Sequence, residues 1–385
     1  MTSTSTGLDR LPAARDRLTQ GIDDGLHTGA QLYVSLRGAP VCDGMVGEAA
    51  PGVPVRPDTV FRWLSAGKPV AAVAVAQLAA NGLVGYDRPV AEYVPEFEQN
   101  GKRAVTLRHV LTHTGGFRGG EPYATLPTWE ERVAGICAAH IEERWVPGER
   151  AGYHPNSGWV MLGEVVRRVT GVPFDVFARN HVFLSLGMED SWAVATPDLP
   201  QRYGSRWGEL HLMEGGQNGV HPAYSTQASL NVLRPGSTLR GPARDLGLFY
   251  EALLTGMNDF PVSEALGGPG RAASGALSPA SATEITSRQR TGMLDETFNH
   301  VMDWGLGVII DSKQYGPGVP YEFGQHASPR TFGHGGSQSS LGFADPEHGL
   351  VVAAIFNGLP GEARHDRRVK RVTAAIYEDL GLALS

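Results

Sequence analysis

The sequence predicts an α/β (α+β) chain in which both ends build one lobe and a mainly helical lobe is inserted between them. Three observations carry this expectation. Strand-like runs appear early, at 29–49, and return late, at 304–357. Helical spacing brackets them at the two ends of the chain. The stretch from about 90 to 300 is loop-rich with helical patches. A single domain over 1–385 is expected, with the α/β lobe at approximately 1–90 plus 295–385 and the helical lobe at approximately 91–294.

In chain order, residues 8–26 place Leu8, Leu11, Leu18 and Ile22 at helical spacing among acids and arginines. The run GAQLYVSLRGAPVCDGMVGEA predicts two strands about a turn at Arg37-Gly38-Ala39-Pro40. From Val70 to Leu83 nearly every residue is Ala, Val or Leu, which predicts a helix buried on all sides and closed by Gly82. Residues 158–171 and 242–256 read as amphipathic helices closed by Gly171 and Gly256. Residues 257–292, rich in Gly, Ser, Ala and Pro, read as a long surface excursion. Strands follow at 304–311, 330–336, 340–346 and 350–357. The last helix, from Glu362 to Leu382, turns Val369, Val372, Ala375 and Ile376 inward.

Composition bounds the function. Hydrophobic residues at 41% and charged residues at 19% describe a globular protein, and a net charge of −7 gives no reason to expect nucleic acid or an anionic membrane as partner. No run approaches the ~18 apolar residues of a membrane span. The opening MTSTSTGLDRLPAARDRLTQG lacks the apolar core of a secretory signal, so a cytoplasmic location is expected. Cys42 and Cys137 form no metal spacing and read as free thiols; neither a metal nor a cofactor is expected.

The chain has only four lysines, at 68, 102, 313 and 370, and Lys68 opens the apolar helix. A charge there is costly to desolvate unless the site needs it. Ser65 lies one turn earlier, so hydroxyl and amine share a face near a helix N-terminus, where free N–H groups favour developing negative charge. An amine held dry beside a hydroxyl loses basicity until it can accept the serine proton, a nucleophile and base without histidine. Twenty-two serines and four lysines give about 0.2 chance matches to Ser-x-x-Lys, so the motif alone is weak. A capping serine with a lysine reaching outward is the alternative, and the buried turn leaves that lysine nowhere to go.

Two further segments add weight. Tyr153, on a loop before the helix at 158–171, can share the proton as base and acid, or can simply pack. His334-Gly335-Gly336 sits on a predicted strand, where paired glycines let a substrate approach backbone N–H groups able to supply half of an oxyanion hole. A turn with a surface histidine is the alternative there.

Ser65-Ala66-Gly67-Lys68, Tyr153 and His334-Gly335-Gly336 together resemble the three motifs of the serine β-lactamase and penicillin-binding-protein superfamily. Within it the chain is most similar to class C β-lactamase-like esterases and acyltransferases. LRHVLTHTGGF (107–117), the PGER before Tyr153 and FADPEHGL (343–350) resemble that group's connecting segments, and the likeness runs from about 25 to 380. The resemblance implies an antiparallel sheet flanked by the terminal helices. It implies Ser65 as acylated nucleophile, Lys68 as general base, Tyr153 as proton shuttle, and the backbone N–H groups of Ser65 and Ser337 as the oxyanion hole. His334, Gly335 and Gly336 would line the substrate. His334 stands where β-lactamases carry the lysine that holds a β-lactam carboxylate, which argues against penicillins as natural substrates.

The second motif departs from Tyr-x-Asn: it reads Tyr153-His154-Pro155-Asn156, and either Asn156 after a bulge or His154 takes the asparagine's substrate-binding part. The glutamate loop of class A enzymes is not recognisable, so deacylation would use Lys68 and Tyr153 again. Trp159, Trp192 and Trp207 line an acyl pocket or pack the core. The expected activity is acyl transfer from a small ester or amide donor to an alcohol or amine acceptor, as in natural-product biosynthesis. With water as acceptor the same chemistry is that of a carboxylesterase. A β-lactamase, a peptidase and a non-catalytic binding protein are the further alternatives.

Overall fold

A computed structural model describes residues 7–216, 219–256, 277–321 and 323–383. Its centre is an eight-stranded sheet in which each neighbouring pair is antiparallel. The N-terminal part supplies β1 (Gly29–Leu36), β2 (Ala39–Ala50) and β3 (Val53–Pro54). The C-terminal part supplies β4 (Asp303–Trp304), β5 (Ile309–Ile310), β6 (Phe332–Gly336), β7 (Ser340–Asp345) and β8 (Leu350–Phe356). The order across the sheet is β4-β5-β6-β7-β8-β1-β2-β3. The two ends of the chain meet where β1 pairs with β8, from Ala30 opposite Phe356 to Leu36 opposite Leu350.

The uninterrupted apolar run of β8 is explained by burial on both faces. Val352, Ala354 and Phe356 join one core cluster, and Val351, Ala353 and Ile355 join the other. The first cluster lies under α1 (Pro12–Asp23) and the last helix, α8 (Glu362–Asp379). Asp379 ties the two together by accepting from the Ala13 and Ala14 N–H groups at the start of α1, which no residue of α1 itself can satisfy. The opposite face is covered by α6 (Ala243–Gly256), which packs on β1, β7 and β8.

Beyond α6 lies α2 (Lys68–Ala80), buried almost throughout, as its lack of a polar stripe requires. It packs on α5 (Ser157–Thr170) and α7 (Pro279–Thr286). Two shorter helices, α3 (Leu107–Leu111) and α4 (Trp129–Ala138), each begin with a threonine capping box, and both pack against α5.

The predicted excursion at 257–292 is corrected in its second half. Residues 257–276 lie outside the described residues, but α7 follows, capped by Ser278 with proline in its first turn and with Ala282, Ile285 and Thr286 buried. The predicted strand at 304–311 is two short strands, β4 and β5, because the chain reverses through Gly305–Val308 with Gly307 at φ 76°. Cys42 and Cys137 are buried free thiols. No helix among the described residues is long and apolar enough to cross a membrane.

Candidate active site

Ser65 lies in a single 3-10 turn, Leu64–Gly67, which runs directly into α2. Leu64, just before it, is held at φ 51°, a left-handed conformation unusual for leucine and of the kind that clusters at functional sites. Gly67 permits the turn to pack down, since a Cβ there would lie 2.8 Å from the Cβ of Leu239. The Lys68 ammonium has no exposure and reaches two oxygens, Ser65 Oγ at 2.8 Å and the Gly236 carbonyl at 2.7 Å. Burial lowers its pKa from 10.5 to about 7, against a smaller upward pull from Glu121. At neutral pH a large share of Lys68 is therefore unprotonated, and the Ser65 hydroxyl has a base in hydrogen-bond reach.

Lys102 shows what a structural lysine does instead. It is also buried, but its amine donates to three carbonyls, those of Gln99, Cys137 and Ala139. All three donors are satisfied by backbone, and no hydroxyl is near.

Tyr153 completes the contact set, with its hydroxyl 3.1 Å from Ser65 Oγ. The Lys68 amine sits 5.2 Å from the centre of the tyrosine ring and 5.6 Å from that of Trp159. Burial drives the phenol pKa well above its usual value, so it is present as a hydrogen-bond donor. Its ring packs on His113, Phe298 and Trp304. Its backbone N–H donates to Asp295 Oδ1, and Asp295 Oδ2 pairs with Arg290 at 3.2 Å in an ion pair sealed from solvent.

The structure separates the two candidates for the second motif. His154 is an interior residue: its Nε2 accepts from the Phe117 N–H, and its ring lies between those of Phe117 and His113. Burial holds it neutral, with a pKa near 4. Asn156 instead is half-buried, and its Oδ1 accepts from the Ser237 hydroxyl, the neighbour of the Gly236 carbonyl that holds Lys68.

The third motif lies on β6. β5 pairs with β6 only through Phe332 and Gly333, so the pairing stops before His334 and leaves the rest of that edge to the site. Gly336 is pressed against the chain entering the Ser65 turn: a Cβ there would lie 2.3 Å from the Trp63 carbonyl oxygen. Ser340 Oγ also donates to that carbonyl. Gly335 faces the other side of the strand, against the Tyr321 ring. Ser337 begins the turn to β7 and its hydroxyl donates to Glu362 at 2.7 Å. His334 is buried beside Tyr153 and Trp304. Its Nδ1 lies 2.7 Å from the Gly335 carbonyl, which fixes the proton on Nδ1, and burial with Lys68 nearby lowers its pKa to about 3. It offers no positive charge at neutral pH.

Sequence reasoning missed Gly236, Ser237, Asp295 and Glu121. Gly236 acts through its carbonyl, which any residue carries, and Asp295 and Glu121 act through backbone N–H groups distant in sequence. Of the three tryptophans, Trp159 stands behind Lys68. Trp192 and Trp207 pack in a separate small cluster, each under an arginine guanidinium.

A serine hydroxyl contacted by a buried lysine and a tyrosine, on an antiparallel sheet with terminal helices, is an arrangement able to support serine hydrolysis or acyl transfer. The sequence pattern of the Beta-lactamase family matches residues 14–375, and the chain belongs to that family. It is similar to the esterase EstB of Burkholderia gladioli, 30% identical over 336 residues that cover 80% of this chain and 79% of the relative. The esterase/beta-lactamase LipL of Mycobacterium tuberculosis is 29% identical, over 86% of this chain and 77% of its own. Among solved structures, a family VIII carboxylesterase superimposes with a TM-score of 0.76 at 27% identity, covering 96% of this chain and 97% of that one.

Proposed function

We propose that the protein is a serine acyl-enzyme catalyst that passes an acyl group from an ester or amide donor to an alcohol or amine. The observation that carries this is the convergence of Lys68 Nζ and Tyr153 Oη on Ser65 Oγ, at 2.8 and 3.1 Å. Neutral Lys68 takes the Ser65 proton as Oγ attacks the donor carbonyl. The Ser65 and Ser337 backbone N–H groups receive the oxyanion, and Tyr153, poised as a donor, passes a proton to the leaving alcohol or amine. The bond from carbonyl carbon to leaving group breaks, and the acyl group stays on Ser65. Lys68 passes the Ser65 proton on to Tyr153; an incoming alcohol or amine then gives its proton to the pair and attacks the acyl carbon, and the acyl–Oγ bond breaks as the pair returns a proton to Ser65 Oγ. When water takes that place the reaction is ester hydrolysis.

His334 supports ester or amide donors without a carboxylate, because a neutral imidazole with its Nδ1 proton committed to Gly335 cannot serve as a cation for one. Intact-protein mass after exposure to activated esters, methyl esters and β-lactams, with and without added alcohols and amines, tests the proposal. An adduct on wild type but not on Ser65→Ala, discharged faster by the added nucleophile with a transfer product, is expected. Discharge at one rate whatever is added makes the protein an esterase. No adduct from any donor overturns the acyl-enzyme reading.

A further inference from the structure

Glu121, in the 118–125 segment after α3, takes no part in the steps above. Its Oε1 accepts from the Ser157 N–H at 2.8 Å, the Ser157 hydroxyl at 2.6 Å and the Asn156 N–H at 3.1 Å, and Oε2 accepts from that last N–H at 2.9 Å. It thus satisfies the first N–H groups of α5 from another segment, work usually done by a residue at the helix start. Capping alone does not require a charge in so dry a place, since a serine or asparagine at the helix start would serve. The bonds continue toward the nucleophile: Asn156 Oδ1 accepts from Ser237, and the adjoining Gly236 carbonyl accepts from Lys68.

We infer that Glu121 is a positioning residue for acyl transfer: through Ser157, Asn156 and Ser237 it locks the Tyr153–Ser157 loop and holds the Gly236 carbonyl against the Lys68 amine, and so governs how readily Lys68 gives up its proton. The inference rests on the acyl-transfer reading above. The other titratable groups around Lys68 are Tyr153 on the loop before α5, His113 after α3 and His334 on β6. Burial keeps all three uncharged near neutral pH. Glu121 is the one carboxylate among the described residues that raises the affinity of Lys68 for its proton. Burial raises the pKa of Glu121 itself, and the bonds from Ser157 and Asn156, with a smaller pull from Lys68, work against that rise.

With only four lysines in the chain, NMR of 13Cε-labelled lysine can follow Lys68 directly. Wild type, Glu121→Gln and Ser157→Ala are titrated, and the acid limb of Ser65 acylation by an activated ester is recorded for each. Glu121→Gln should lower the Lys68 titration and the acid limb together, by about half a pH unit. Ser157→Ala removes one of the bonds that hold Glu121 and should shift both in the same direction by less. If the Gln variant is not folded, Glu121→Asp withdraws the charge by one methylene and should shift both in the same direction by less. A folded variant whose Lys68 titration matches wild type, with activity lost equally at every pH, overturns the inference and leaves Glu121 a helix cap. A shifted Lys68 in a protein that never acylates Ser65 would support the link between Glu121 and Lys68 while overturning the acyl-transfer reading.

Discussion

The backbone N–H of Tyr153 donates to Asp295 Oδ1 at 3.0 Å, although the two residues lie 142 positions apart. The same oxygen accepts from the Thr297 and Phe298 N–H groups, and Thr297 Oγ1 returns a bond to the Tyr153 carbonyl. The tyrosine that touches Ser65 is thereby fixed to the strand-bearing C-terminal part of the chain. Without that tie, a loop residue would hold its hydroxyl against Ser65 less firmly.

Asp295→Asn tests that tie. It keeps an acceptor for the Tyr153 N–H but leaves the Arg290 charge without its carboxylate, with only the Thr112 and Met302 carbonyls to accept from it, in an interior closed to water. Breaking a buried pair from one side costs about 3–5 kcal/mol. Chemical denaturation should show a loss of that size, and the folded variant should acylate more slowly with little change in apparent donor affinity. Unchanged stability would mean that Arg290 finds another partner and that the pair does not anchor Tyr153.

Gly336→Ala should be far more harmful than its single methyl suggests. The added carbon would fall 2.3 Å from the Trp63 carbonyl oxygen and 2.2 Å from Ser340 Oγ, so β6 must move away from the Ser65 turn. Overpacking of this kind costs about 1–3 kcal/mol. Acylation by an activated ester should fall by at least about tenfold, because the Ser337 N–H moves with the strand. A variant with wild-type acylation rates would show that Ser337 is not part of the oxyanion hole.

How much of this could be read from sequence depends on which kind of group acts. Ser65, Lys68 and Tyr153 were legible because they meet through their side chains and because an apolar helix makes Lys68 conspicuous. The helices at 157–170 and 243–256 were legible from spacing and closing glycines. α7 was not, because Ser, Ala and Pro around it suggest a loop, and its burial comes from packing against α2 and α6. Where the bulged loop carries His154 and Asn156 could not be read from sequence: one side chain points to Phe117 and the other to Ser237. Gly236, Glu121 and Asp295 hold their partners through backbone atoms 35 or more positions away, and no local pattern records such bonds.

The pH dependence of acylation follows from the Lys68 value. The base must be unprotonated to act, and its pKa is about 7, so kcat/KM for a neutral ester should fall tenfold per pH unit below that value. His334 and His154 titrate at about 3 and 4 and should add nothing to this limb. Lys68→Arg should abolish the limb along with on the order of 10³-fold of activity, because a guanidinium does not deprotonate in this range. An acid limb that persists in Lys68→Arg would assign the base to another group.

Lys68 also carries a stability cost that substitution should reveal. In the unfolded chain the amine keeps its proton to about 10.5, whereas in the fold it lets go near 7. The unfolded state therefore binds more protons between these values, and wild-type stability should rise with pH across that window. Below about 7 both states are protonated and the cost is complete, on the order of 5 kcal/mol before the hydrogen bonds to Gly236 and Ser65 are counted. Lys68→Met removes the charge and keeps the volume, leaving the Gly236 carbonyl without its donor as an offset. It should be inactive yet melt several degrees higher than wild type at pH 6–7, with the advantage shrinking as pH approaches 10. Thermal unfolding across that range decides it: a Met variant that melts lower at every pH would show that Lys68 supports the fold rather than being tolerated for its chemistry.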